Sequence, residues 1–179
     1  MDGLLRLLAS LARDSAGASF VTDPASLPSG PGAYVLVIDL ARPCALPIPA
    51  PAPATLDAGR YFYVGSARGP GGIRARVARH MRRGKALCWH IDRLTEAGKI
   101  AGALVLPGGA ECAALERLLG LPGLTVPVPG FGSSDCARCP AHLLAAPARL
   151  APDRAIDVAC DRAATPAPGR SKPARMGPR

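Results

Sequence analysis

The chain has 179 residues, room for one domain and a tail, and an arginine-rich formal charge of +9. That balance favours phosphate backbones or other polyanions as partners. The absence of any apolar run of about eighteen residues excludes a membrane-crossing helix. The six cysteines are scattered rather than dense, so they read as reduced thiols of a cytoplasmic protein and not as a secreted disulfide framework.

In chain order, the N-terminal stretch Met1–Leu8 has the look of a signal peptide but lacks a basic leader and is broken by Arg6 and Arg13. It reads instead as a short amphipathic helix, and residues 1–27 as an appended helix and linker. A strand follows over Tyr34–Leu40, apolar and β-branched. Pro43, Pro47, Pro49, Pro51 and Pro53 then predict an extended loop incompatible with strand pairing. After the turn Asp57-Ala58-Gly59 comes a second strand, Arg60–Val64, and the two strands pair most simply as an antiparallel hairpin with an enlarged loop.

Gly71-Gly72 opens a basic helix ending near Gly84, with Ile73, Val77 and Met81 at i, i+4 and i+8 as its buried stripe. Arg76, Arg79, His80 and Arg83 fall on an adjoining face. From Arg68 to Lys85 there are seven basic residues and no acidic one, a footprint suited to nucleic acid. A short helix is predicted over Trp89–Ala97, a third strand over Ile100–Leu106 and a helix from about Ala110 to Leu119. Val126–Leu144 reads as irregular and then helical, and residues 146–179 as a disordered, basic, Pro/Ala-rich tail. The order β-β-α-α-β-α gives an α/β (α+β) domain over residues 28–145.

Several motifs in this order resemble the GIY-YIG nuclease superfamily, and more closely a prokaryotic branch of it carried as a domain of unknown function. They are Gly32-Ala33-Tyr34-Val35-Leu36, Tyr63-Val64-Gly65-Ser66-Ala67, Gly72 to His80, Trp89-His90-Ile91-Asp92, Glu111-Cys112 and Gly130-Phe131-Gly132-Ser133-Ser134-Asp135-Cys136. The resemblance implies a small three-stranded antiparallel sheet flanked by helices and a Mg²⁺- or Mn²⁺-dependent endonuclease that cuts DNA. Tyr34 and Tyr63 would surround the attacking water, and Arg76 would bind a non-bridging phosphate oxygen with its fork of donors. A phenol near pKa 10 is a poor base at neutral pH without a cation beside it.

His80 would protonate a leaving oxygen or orient the phosphate, or else be a capped surface histidine. Arg68, Arg74, Arg79, Arg83 and His90 would line the nucleic-acid path. For the metal, Glu111 shares the packed stripe with Leu115 and Leu118, where a carboxylate needs a compensating cation. Glu116 lies on the flank, and the resemblance, through the spacing in the superfamily's excision-repair members, allows it too. The chain departs from the superfamily at Ala33, usually isoleucine, and at the asparagine that follows the metal-binding helix, a place open to Ser133, Ser134 or Asp135.

His90 and Asp92 either line the same cleft or pair with each other. Cys136-x-x-Cys139 followed by His142 has the spacing of half a zinc site, whose fourth ligand would be distant, Cys88 or His90. A lone pair of this kind is more often two small buried thiols or a redox pair. Cys44, Cys112 and Cys160 fit no pattern, and Phe131 is the single aromatic candidate for base stacking near the site. A second reading keeps the fold without the chemistry, as a nucleic-acid-binding module. A third is a zinc-stabilised interaction domain. The pattern offers nothing on oligomeric state.

Overall fold

A computed structural model describes residues 2–13, 15–46, 54–134 and 136–151. Its elements are α1 (Asp2–Ala12), β1 (Ser19–Val21), β2 (Gly32–Leu40), β3 (Cys44–Leu46), β4 (Ala54–Leu56), β5 (Gly59–Ala67), α2 (Gly72–Met81), α3 (His90–Ala97), β6 (Lys99–Pro107), α4 (Glu111–Leu119) and β7 (Leu143–Ala145). The class is α+β. No helix among the described residues is long and apolar enough to cross a membrane.

The main sheet is antiparallel throughout, in the order β1-β6-β2-β5-β7. Its central strand β2 is apolar almost end to end because both faces are covered. Tyr34, Leu36 and Ile38 enter one core with Ile73 and Val77 of α2 and Ile91 and Leu94 of α3. Val35 and Val37 enter the other, with Leu4, Leu8 and Leu11 of α1 and Leu115 and Leu118 of α4. The molecule is therefore a helix layer, a sheet and a second helix layer, and the two-residue alternation of β2 assigns each side chain to its core.

The structure differs from the sequence reading at five places. The sheet has five strands and not three, since β1 and β7 are three residues long, too short to carry an alternating pattern. The linker expected before residue 28 thus supplies an edge strand, and the segment expected to be helical before Ala145 supplies the other. In β7, Leu143 and Leu144 bury into opposite cores, which a strand does and a helical turn does not. The proline-rich stretch contains a two-stranded ribbon, β3 with β4; residues 47–53, which hold four of the prolines, lie outside the described residues. Of the expected tail, residues 148–150 form a 3-10 turn with Leu150 buried, and residues 152–179 lie outside the described residues.

Candidate active site

The two tyrosine-glycine motifs meet through strand register. Tyr34 of β2 stands opposite Gly65 of β5, and a β-carbon at position 65 would fall on Cζ and the hydroxyl of Tyr34. The glycine of the second motif is thus the space in which the phenol of the first lies. Tyr34 is 1% exposed, and its hydroxyl is 2.8 Å from Nε2 of His80. Tyr63 is half-buried and makes edge contacts with the rings of His80 and Phe131.

Helix α2 delivers two more side chains. Gly72 has φ +55° and sits where a β-carbon would strike the backbone of Gly30, and the Ile73 amide donates to the Gly30 carbonyl at 2.9 Å. This close seat fixes the helix so that Arg76 and His80, one turn apart, share a face. A turn after β6, tied by Gly108 N–H to the Pro31 carbonyl at 2.9 Å, starts α4 beside the beginning of β2. Glu111, its first residue, enters there. Tyr34, Tyr63, Arg76, His80 and Glu111 line one cavity of about 440 Å³, and Arg68, Trp89, His90, Ser66, Ser134 and His142 complete much of its wall.

Burial controls the charge states. It pushes the Tyr34 phenol well above the usual range, with Tyr63 adding to the shift and Arg76 opposing it. Tyr63 is pushed up to about 12, by burial first and then by Glu111, again against Arg76. His80 is pushed down to about 4, chiefly by burial; Asp92 opposes this, while Arg79, Arg76 and Lys85 reinforce it. Near neutral pH the cavity therefore holds two neutral phenols and a neutral imidazole. With the imidazole proton on Nδ1, the Tyr34 hydroxyl donates to Nε2; in the other tautomer Nε2–H donates and the phenol proton is free for the cavity. His80 is 1% exposed, so it is not the surface histidine allowed by the sequence. It lines the cavity beside the Tyr34 hydroxyl.

Glu111 is half-buried and its carboxylate makes no hydrogen bond or ion pair with the described residues. A lone carboxylate on an open cavity, with the Tyr34 and Tyr63 hydroxyls on the same wall, suits a hard cation that keeps most of its waters, as Mg²⁺ and Mn²⁺ do. Glu116 is exposed and does not line the cavity.

The expected nucleic-acid residues separate into two groups. Arg68 and His90 are exposed on the cavity wall. Arg74 donates to the Leu27 carbonyl at 2.8 Å and Arg83 to the Thr95 carbonyl at 3.1 Å. Arg79 makes two bonds to Asp92, at 2.8 and 2.9 Å, and one to the Ala86 carbonyl at 3.0 Å. Asp92 also accepts from the amides of Cys88 and Trp89, at 2.8 and 2.9 Å. Burial opposes its ionisation, but the Arg79 guanidinium and these amides outweigh burial and hold it down at about 2. Asp92 is thereby taken by Arg79 and not by His90.

Sequence reasoning placed Trp89 in a motif but gave it no role; its ring lies under Arg76 at 4.5 Å and Arg79 at 3.9 Å. The signal was present as two arginines three residues apart and one tryptophan in the chain. Ser134 lines the cavity, Ser133 is buried, and Asp135 lies outside the described residues.

The cysteine reading changes as well. Cys136 and Cys139 are joined by Cys112, with the three sulfurs within 4.8 Å of one another; His142, Cys88 and His90 are not in that group. His142 instead buries its ring in the cavity wall, with Nε2 unpartnered among the described residues. Its backbone explains the position, since its amide donates to Phe131 at 2.7 Å and its carbonyl accepts from Val64 at 2.9 Å. The thiols share protons unevenly: Cys139 is pushed up to about 12 by burial, and a hydrogen bond from Cys139 helps hold Cys136 down at about 7.

No curated protein and no solved structure matches the chain significantly. One family model does, over residues 33–164, more than half of the chain. That span contains both tyrosines, α2, the Glu111 helix and the thiol loop. The chain belongs to the family described as domain of unknown function DUF123.

Proposed function

We propose that the protein is a metal-dependent endonuclease of the GIY-YIG kind, hydrolysing phosphodiester bonds in DNA. The observation that carries this reading is the convergence of Tyr34, Tyr63, Arg76 and Glu111, from four different elements, on one cavity. Arg76 has no carboxylate partner among the described residues, so its guanidinium is available to a phosphate oxygen and to the charge that builds there. Tyr63 orients the attacking water. As the water oxygen bonds to phosphorus, its proton passes to the Tyr34 oxygen while the Tyr34 proton moves to Nε2 of His80, across the 2.8 Å contact. The ester bond breaks opposite, and its oxygen takes a proton from solvent.

His80 is a positioning and relay group in this scheme. Its low basicity rises when a phosphate anion occupies the cavity, because a nearby negative charge favours the imidazolium. Glu111 would hold Mg²⁺ or Mn²⁺, whose contribution when bound is neutralisation of charge on the phosphate. Localisation in the cytoplasm accords with free thiols.

The test is nicking of supercoiled plasmid with Mg²⁺ or Mn²⁺ by wild type, Glu111→Gln and Glu116→Gln. Cleavage by wild type and Glu116→Gln, with none by Glu111→Gln, is the expected result. Salt-sensitive binding with no nicking by any of the three would favour the binding module.

A further inference from the structure

Three thiols reach one point from two separated segments. Cys112 is the second residue of α4, directly after Glu111, and Cys136 and Cys139 lie in the loop that leads into β7. The sulfurs of Cys112 and Cys136 are 3.7 Å apart, and all three lie within 4.8 Å of one another. A disulfide requires about 2.05 Å between sulfurs, so this pair is not bonded. Ligands at about 2.3 Å from a tetrahedral zinc ion stand about 3.8 Å apart, close to the separation of the first pair.

A redox pair uses two sulfurs and leaves the third without a role. Here the third converges with the others, and all three are half-buried, shielded yet reachable from solvent. We propose that Cys112, Cys136 and Cys139 form a three-thiolate site for a soft cation, Zn²⁺ in the first instance, clasping the thiol loop to the first turn of α4. A three-sulfur set leaves one tetrahedral position to a non-thiolate donor. Binding releases the thiol protons to solvent.

The clasp has a structural consequence for the cavity. Cys136 is itself part of the cavity wall, as are Gly132 and Ser134 of the same loop, and Cys112 is the chain neighbour of Glu111. A bound ion therefore fixes one wall of the cavity against the helix that carries its carboxylate. That the fixed carboxylate holds a catalytic metal rests on the nuclease reading; the thiol site does not.

The experiment uses the full chain, purified without a histidine tag under reducing conditions, and reads no cleavage, so its failure is separate from that of the nuclease. Metal analysis is expected to find about one equivalent of zinc per chain. After removal of zinc and addition of Co²⁺, a thiolate-to-cobalt charge-transfer band with the intensity of three thiolates is expected. Cys112→Ser, Cys136→Ser and Cys139→Ser should each weaken zinc binding by at least about tenfold, whereas His142→Ala should not. The cobalt spectrum of the wild type counts sulfur ligands even where a variant fails to fold. A wild type that carries no zinc and gives no charge-transfer band overturns the proposal, and so does a Cys112→Ser variant with undiminished affinity.

Discussion

Arg76 and Arg79 sit three residues apart on α2 and lie over the same indole ring, at 4.5 and 3.9 Å, yet they belong to different regions of the molecule. Arg79 faces α3, where it is bound twice by a carboxylate with no solvent exposure, Asp92. That carboxylate in turn holds the backbone of Cys88 and Trp89. Arg76 faces the cavity and has no carboxylate among the described residues. One arginine completes the scaffold and the other faces the cavity. A run of basic residues in sequence does not distinguish them; the buried acceptor does. The same division runs through the cluster, where Lys85 is buried against Glu96 and the carbonyls of His80 and Arg82 while Arg68 stands open on the cavity wall.

The comparison is sharpened most by Arg79→Ala. It leaves Asp92 buried without its cation, and removing one partner of a buried pair costs about 3–5 kcal/mol. The lower end applies, because the Arg79 side chain is 20% exposed. Urea unfolding should show the loss, and a midpoint equal to wild type would break the division between the two arginines.

Acid should reveal the buried histidine next. His80 titrates near 6.5 when unfolded and at about 4 when folded, so the unfolded chain binds this proton first as pH falls. Its stability contribution is complete above 6.5 and is lost as pH falls toward 4, by about 3 kcal/mol. Asp92, ordinarily near 3.8 and held at about 2, contributes in a separate, lower window. Unfolding midpoints measured across these ranges should be flatter between 6.5 and 4 for His80→Gln than for wild type. An identical slope in both would contradict the burial of His80.

A smaller effect is expected on the cavity side from Gly65→Ala. The new β-carbon meets the Tyr34 ring, and overpacking of this kind costs about 1–3 kcal/mol, readable as a lowered melting temperature. The smallest is Arg83→Ala, which removes hydrogen bonds to the Thr95 and Glu96 carbonyls at the end of α3 and should shift stability by about 1 kcal/mol.

Much of this was legible from residue order. The periodicity of Tyr34–Leu40, Ile73-Val77-Met81 and Ile100–Leu106 places β2, α2 and β6, and the motif residues Tyr34, Tyr63, Arg76 and Glu111 do share a cavity. What escaped depends on partners distant in sequence. Nothing local marks Cys112 as the neighbour of Cys136, 24 residues on, nor His80 as the partner of Tyr34, 46 residues back. The edge strands escaped because three residues have no measurable period. The prolines hid a ribbon because they fall between its strands and not within them.

The most direct test of the central claim is the rate of plasmid nicking with Mg²⁺ by Arg76→Ala beside wild type, at matched folded fraction. Loss of a donor aimed at developing charge lowers cleavage on the order of 10²–10³-fold, and that fall is expected with little change in the urea midpoint. Undiminished cleavage by Arg76→Ala would contradict the account, because the arginine proposed to bind the phosphate would then have no part in cutting it.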